Sequence, residues 1–492
     1  MTKHITVLGA GITGLSSAFH LSRLHPTVKI TLIERQRRPG GWFRSTRVPL
    51  PGKYGSALIE EGPRAFRMYD SLLEMTNILG LQDKIVKVPG NAPGAMPPSL
   101  VTPKKGLKPM VVSSLTVPLV GGVIRDILKP GNKPKGVEDE TMYSFFARRF
   151  GTGFAQLFGT SVMHGIFCGD ARKMSIRATF PPLWDAAQRG WGGIARGFLF
   201  PAKSPPPDKY DVGNLPKLMK GVAYWQFKEG TQTLTDALAA HLQKQKNVEI
   251  MYGTPVKKIE ENLKVQLENG TSVPASHIVS ALPTNVLHNL LPKDEKLAAL
   301  AATKYGSVHI VNLIFPGPPS SIHPNGFGYF VPGPEGEYPA PSATMEVPIL
   351  GTTYMTGLLG AQDHDGVDAY RNAKFTKLTV SIGGPYGLPP LPEHLDSTAA
   401  GATTPAYIEN LLKQLSSHFK RELPAPIFWK IKQNDECLPT LTPGHVERVE
   451  TMKKYLNEKY DGKFQVAGAG VSGVSTGDCA EQGRQAAKAL NV

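Results

Sequence analysis

The chain opens on an alternation of apolar runs and a turn. Residues 4–8 (HITVL) and 28–33 are short runs rich in β-formers. Between them, residues 9–14 are glycine-rich, and residues 15–24 space their apolar side chains at helical intervals until Pro26 ends the pattern. This predicts strand, helix, strand. Residues 89–136, rich in Pro, Gly and Lys, predict irregular connections. From 141 to about 162 the pattern is helical, and Phe145, Phe146, Phe150, Phe154, Leu157 and Phe158 form an aromatic stripe suited to core packing. Residues 201–217 predict another proline-rich loop. A helix is expected over 234–242, and short strands over 248–251, 256–259, 264–267 and 277–280. Residues 306–390 hold many short β-like runs between glycines and prolines. A helix over 408–419, a strand over 464–467, a glycine turn and a helix over 478–490 close the pattern.

Composition narrows the class. With 41% hydrophobic and 19% charged residues over 492 positions, the chain is too apolar to be disordered and long enough for two to four domains. Lys and Arg exceed Asp and Glu by 55 to 40, a net +15 that asks for an anionic partner. No nucleic-acid motif accompanies that charge, so no nucleic-acid partner is expected. Cys168, Cys437 and Cys479 are far apart, which supports neither a disulfide framework nor a zinc site, and no metal is expected. The first strand pattern begins at His4, leaving no room for a secretory signal. The most apolar stretch, 110–124, is interrupted by Pro118, Gly121 and Gly122 and ends at Arg125. It is too short to span a bilayer and reads as buried or interfacial.

The candidate chemistry begins in the first turn. Gly9-Ala10-Gly11-Ile12-Thr13-Gly14 is G-x-G-x-x-G between a strand and a helix. Its glycines permit a tight turn, close approach to a pyrophosphate and close helix–strand packing. Glu34 follows 20 residues after Gly14, where a carboxylate can accept from a ribose diol. Three further stretches resemble the FAD-dependent amine-oxidase superfamily: Gly40-Gly41-Trp42-Phe43-Arg44-Ser45, Glu60-Glu61-Gly62-Pro63-Arg64, and Ala467-Gly468-Ala469-Gly470 with Gly473 to Asp478. The resemblance implies an α/β Rossmann-like FAD-binding domain of the amine-oxidase/p-hydroxybenzoate-hydroxylase type, assembled from separated segments. It also implies a mixed β-sheet substrate domain and a helical membrane-facing domain. The boundaries it suggests are FAD-binding segments at 1–88, 221–300 and 436–492, a membrane-facing helical domain with the substrate channel at 89–220, and a substrate-binding domain at 301–435.

Four more elements resemble the protoporphyrinogen oxidase family, in its eukaryotic mitochondrial form. They are Gly165-Ile166-Phe167-Cys168-Gly169-Asp170 running on to Met174-Ser175-Ile176-Arg177 and Phe180-Pro181, Phe227 to Leu234, Val279-Ser280-Ala281-Leu282-Pro283, and Gly326 to Pro332. Glu229 stands where the second of these usually has glycine. The resemblance implies an O2-dependent, six-electron oxidation of protoporphyrinogen IX, with hydride passing to flavin N5 and no side chain assigned as catalytic. It implies a peripheral place on the inner mitochondrial membrane, an anionic lipid surface as partner and a possible homodimer. Related readings are coproporphyrinogen III oxidation, an amine or amino-acid oxidase, and a flavin-free binder akin to Rab GDP-dissociation inhibitors.

By the same resemblance, the cofactor contacts are Gly9, Ala10, Gly11, Ile12, Thr13, Gly14, Glu34, Arg35, Gly41, Trp42, Gly62, Pro63, Arg64, Ala65, Val256, Ala469, Val474, Ser475 and Thr476. Arg64 is positioned near the flavin face or in an ion pair with Glu60 or Glu61. Phe330, Thr353 and Ser381 fall where the family holds the macrocycle, although Thr353 and Ser381 replace apolar residues. Pro98 stands where the family has a propionate-binding Arg, which leaves Lys104 and Lys105 as substitutes in the form of point charges. Residues 101–230 contain 19 Lys and Arg against 9 acidic residues, so +10 of the net +15 lies in the stretch assigned to membrane and channel.

Overall fold

The apolar runs at the start of the chain become interior strands because nothing on either face meets water. Ile5, Val7, Leu8, Ile30 and Leu32 are all fully buried, as expected for parallel strands covered on both faces. The computed structural model describes residues 3–102, 106–109, 116–128, 136–200, 208–341, 347–364, 370–371, 373–398 and 403–492. Strand His4–Leu8 lies at the centre of a five-stranded parallel sheet, in the order Phe464–Val466, His277–Ser280, His4–Leu8, Lys29–Ile33, Val248–Met251. Its strands come from the beginning, middle and end of the chain. Helix Ile12–Leu24 follows the first strand, and helix Thr476–Ala489 packs along it. The crossing is close enough that a Cβ on Gly483 would sit 2.3 Å from the Thr13 carbonyl oxygen.

A second, seven-stranded sheet is mixed. Its order is Phe428–Thr440, Lys304–Pro316, Phe375–Gly383, Ile349–Tyr354, Gly328–Phe330, Ser99–Thr102, Gly106–Pro109. All pairs are antiparallel except that between Gly328–Phe330 and Ser99–Thr102. Two departures from the sequence pattern appear here. Residues 99–102 and 106–109 form an antiparallel pair that extends the sheet, where irregular chain is expected. Residues 304–316 and 375–383 form long strands where short runs are expected, because Gly306 and Gly383 are absorbed into the ladder or its end.

A body of short helices packs on the second sheet through Thr160–Phe167 and includes Thr116–Leu128, Met142–Phe150, Pro181–Arg189 and Ile194–Phe198. The helix expected over 141–162 is broken at Gly151, whose φ of +91° suits glycine, and it resumes through a π-helical turn at Ala155–Gly159. The aromatic stripe is core: Phe145, Phe146 and Phe154 are buried, with Phe150, Leu157 and Phe158 packed against them. Arg149 is buried in the same body, 3.7 Å from the Phe145 ring centroid, and bonds the carbonyls of Phe145 and Gly192 beside Asp126. Among the described residues no helix is long and apolar enough to cross a membrane.

His164 joins the helical body to the second sheet. Its Nδ1–H donates to the Val331 carbonyl at 2.8 Å, and Nε2 accepts from the Tyr338 hydroxyl at 2.8 Å. Burial pushes its pKa down to about 4; the Val331 carbonyl opposes this and Arg172 adds to it. A histidine depressed from 6.5 to about 4 contributes stability that is full above pH 6.5 and is lost as pH falls toward 4. Urea unfolding from pH 7 to 4 is expected to lose up to about 3 kcal/mol through this group. The slope should flatten in His164→Gln, and an unchanged slope in that variant would remove the assignment.

Candidate functional site

Two glycine turns build the first half of the site. Gly9 has φ +92°, and a Cβ on Gly14 would lie 1.8 Å from the Gly9 carbonyl oxygen, so the first helix can start this close to the strand only with glycine there. Gly11 caps helix Ile12–Leu24 without any side-chain bond to the first-turn N–H groups, and a Cβ at Gly11 would meet only open space. The second turn closes on the first: the Gly40 N–H donates to the Ala10 carbonyl at 2.8 Å, and a Cβ on Gly41 would lie 3.2 Å from the Gly11 Cα. Glu34, buried at the end of the second strand, accepts from the Ala10 N–H at 2.7 Å and the Gln36 N–H at 2.8 Å. Each carboxylate oxygen keeps a lone pair free. An uncapped helix N-terminus, a glycine facing open space and a carboxylate beside it fit a dinucleotide: pyrophosphate on the helix, ribose on Glu34. Arg35 and Trp42 are exposed at the edge of this cradle.

Sequence reasoning misses the residue that holds the second turn. The Arg38 guanidinium donates to the carbonyls of Pro39, Gly41 and Phe43 at 3.0, 2.7 and 2.8 Å. Its signal is present only as one of three arginines in Arg35-Gln36-Arg37-Arg38, and nothing in the pattern says which one folds back.

The next element is a knot of charge. Glu60 is buried, and its carboxylate accepts from the Ser45 hydroxyl (2.8 Å), the Thr231 N–H (2.9 Å), the Thr231 hydroxyl (3.1 Å) and the Gln226 amide (2.9 Å). Burial pushes its pKa up to about 7, against those donors, which favour the charged form. Glu61 pairs with Arg44 at 3.1 Å and Lys430 at 2.9 Å. Asn312 and Asn434 donate to the carbonyls of Glu60 and Glu61, both at 3.0 Å, tying this strand to the second sheet. A Cβ on Gly62 would lie 1.9 Å from the Trp42 carbonyl oxygen, so the chain passes directly over the second glycine turn. Pro63 follows, and Ala65 packs near Met355 and Leu358.

Arg64 leaves this knot toward the second sheet. Its carbonyl accepts from Gln226. Its guanidinium donates to the Thr353 hydroxyl at 3.2 Å and the Ser381 hydroxyl at 2.9 Å. The ion pair with Glu60 or Glu61 is therefore not formed, since both carboxylates are held by other donors. Thr353 and Ser381 lie on adjacent antiparallel strands: Gly351 is opposite Ser381, Thr353 is opposite Thr379, and Phe330 is opposite Gly351. The period of two puts Phe330, Thr353 and Ser381 on one face. A Cβ on Gly165 would lie 2.1 Å from the Phe330 ring, so helix Thr160–Phe167 covers that ring edge. Cys168 ends the helix in the left-handed region, and burial raises its thiol pKa to about 11, opposed by Arg64.

The C-terminal residues close the site from the first sheet. Ser475 caps helix Thr476–Ala489 by accepting from the Asp478 N–H, and Asp478 bonds back to it, so this helix start carries its own carboxylate. Val474 packs against the helical body, and Ala469 against the core of the first sheet. Val256 lies in a separate three-stranded sheet, half-buried. Lys104 and Lys105 lie outside the described residues.

Comparison with known proteins agrees with this geometry. Residues 12–491 match the family model for flavin containing amine oxidoreductases. The protoporphyrinogen oxidases of Macaca fascicularis and Homo sapiens are each 30% identical over 506 residues, covering 99% of this chain and 98% of theirs. A solved structure from Exiguobacterium sp. 255-15, provisionally named a protoporphyrinogen oxidase, superposes with a TM-score of 0.72 at 18% identity, covering 100% of this chain and 99% of its own. Family membership implies a flavin cofactor, whose isoalloxazine supplies redox chemistry when bound. An α/β cradle for such a cofactor, joined through Arg64 to a mixed sheet, makes this chain a flavin-dependent oxidase of the protoporphyrinogen oxidase family.

Proposed function

We propose that the chain is an FAD-dependent enzyme that oxidises protoporphyrinogen IX to protoporphyrin IX, with O2 as electron acceptor and hydrogen peroxide as product. The observation that carries this reading is the junction at Arg64. One residue reaches from the dinucleotide cradle to the sheet face bearing Phe330, Thr353 and Ser381. A macrocycle between cradle and sheet would meet the cofactor on one side and Phe330 on the other. FAD, when bound, accepts the hydride and passes electrons to O2, so no protein nucleophile or metal need act. The protein's part is to orient the macrocycle and exclude water: Phe330, Thr353 and Ser381 are 8%, 5% and 8% exposed. The five-segment domain division and the cofactor and substrate contacts named from the sequence belong to this reading.

Coproporphyrinogen III, with four propionates, is the second reading. The polar side chains of Thr353 and Ser381 on the pocket face favour it, because they tolerate a more polar substrate than an apolar clamp would.

We propose further that the protein sits on an anionic membrane surface, the inner mitochondrial membrane that the family resemblance implies. Leu128, Trp191, Phe198 and Leu199 are 74%, 64%, 60% and 73% exposed. Leu128 ends one helix and Phe198 another, and the Asp126 carboxylate, accepting from the Ala195 N–H at 2.7 Å, joins the two. Arg196 stacks over the Trp191 ring at 4.2 Å. Apolar side chains among cations suit insertion between charged headgroups.

Two measurements check these proposals. Anaerobic mixing of the yellow protein with protoporphyrinogen IX should bleach the flavin absorbance; no bleaching at saturating substrate would overturn the function. Parallel mixing with coproporphyrinogen III ranks the two substrates. Sedimentation with vesicles should be stronger for anionic than for neutral lipid and should weaken with salt, and binding indifferent to both would reject the electrostatic part.

A further inference from the structure

Helix Thr160–Phe167 meets the pocket wall at two points. A Cβ on Gly165 would lie 2.1 Å from the Phe330 ring. At the helix end, the Cys168 carbonyl oxygen lies 2.5 Å from where a Cβ on Gly384 would be, three residues after Ser381. Glycine permits both close approaches but does not enforce them. The position of Phe330 and Ser381 against this helix therefore depends on what bonds the helix to the sheet.

His164 makes that bond. It is fully buried and directly precedes Gly165. The strand that carries Phe330 runs out one residue later: the Val331 N–H still donates to the Leu350 carbonyl at 3.0 Å, while the Val331 carbonyl turns to His164. A carbonyl can only accept, so Nδ1 carries the proton of the neutral ring and Nε2 can only accept in turn, from the Tyr338 hydroxyl at 2.8 Å. Tyr338 packs edge-on against Tyr386, with ring centroids 4.7 Å apart, and the His164 ring lies 5.9 Å from the same tyrosine. Tyr386 ends the turn that follows strand Phe375–Gly383, which bears Ser381. One imidazole thus braces the ends of both strands.

We infer that His164 is a positioning residue for the proposed reaction: acting through Val331 and Tyr338, it sets Phe330, and with it the macrocycle, at a fixed distance from the dinucleotide cradle. The inference rests on the porphyrinogen reading above. A macrocycle resting on a displaced Phe330 still binds, but in poorer geometry, and a misplacement of about 1 Å can cost about a hundredfold in rate. His164 therefore governs rate more than affinity.

Two readouts on the flavin-loaded protein separate positioning from binding and from folding. Anaerobic stopped-flow mixing with protoporphyrinogen IX gives the limiting rate of flavin bleaching and its amplitude per flavin. Fluorescence titration with protoporphyrin IX gives affinity. In His164→Ala the limiting rate should fall about tenfold, with full amplitude per flavin and a dissociation constant within about twofold of the parent. His164→Asn places an amide donor near the position of Nδ1 and should return the rate to within about threefold of the parent. Tyr338→Phe keeps the ring and should slow bleaching about threefold, so it reports even if His164→Ala fails to fold. An unchanged limiting rate in His164→Ala, or in Tyr338→Phe where the former does not fold, would overturn the inference and leave the porphyrinogen reading standing. A reduced amplitude at the parent's rate would also overturn it, because that marks a partly misfolded sample. So would a rate lost in step with affinity, or His164→Asn as slow as His164→Ala. No bleaching of the unaltered protein would sink the porphyrinogen reading and this inference with it.

Discussion

One buried carboxylate holds the two halves of this molecule in register. Glu60 collects four hydrogen bonds, from Ser45, Thr231 twice and Gln226, and its backbone carbonyl takes a fifth from Asn312 of the second sheet. These partners are up to 252 positions away in the chain. No apolar contact could specify that arrangement so narrowly, because apolar surfaces slide and a fully bonded carboxylate does not. Burying it works against the charged form, as its raised pKa shows, and only the complete set of donors makes the burial tolerable. Losing any one donor would leave a costly gap.

From that knot the rest of the site follows by short steps. Two residues on, Gly62 lets the chain cross the second glycine turn at van der Waals distance. Four residues on, Arg64 reaches the second sheet. Asn312 also accepts from the Thr379 hydroxyl, and Thr379 is the ladder partner of Thr353. The carboxylate, the arginine and the pocket wall therefore form one closed ring of contacts. A shift of the dinucleotide cradle relative to the sheet would break several of these bonds at once. This explains how a site assembled from distant segments can hold a cofactor and a second ligand at fixed separation.

The local parts of this structure were legible in the sequence because local rules govern them. The strand–turn–helix opening, the glycine spacing and Glu34 depend on backbone sterics and on residues within a few tens of positions. The helix over 141–162 was over-extended, because its apolar period runs straight through Gly151, and only the backbone angle shows the break. The antiparallel pair of 99–102 and 106–109 is unreadable, since the prolines, glycines and lysines of this stretch signal a loop and the strand that Ser99–Thr102 joins lies more than two hundred residues away. Arg38 was indistinguishable from Arg35 and Arg37. The bonding of Arg64 to Thr353 and Ser381 was invisible for the same reason: it is a meeting of three segments, and the sequence pattern records only each segment's own period. Resemblance to a family supplied the candidates, but not which of them touch.

The central claim is that the Glu60 carboxylate, not shape alone, sets the cradle against the pocket wall. Glu60→Gln tests it most directly. The amide keeps the volume but turns one acceptor into a donor facing donors. Urea unfolding at pH 8, with flavin retention measured on the same sample, should show a loss of about 2 kcal/mol and a more easily released flavin. A variant as stable as the parent, with its flavin held equally well, would contradict the claim.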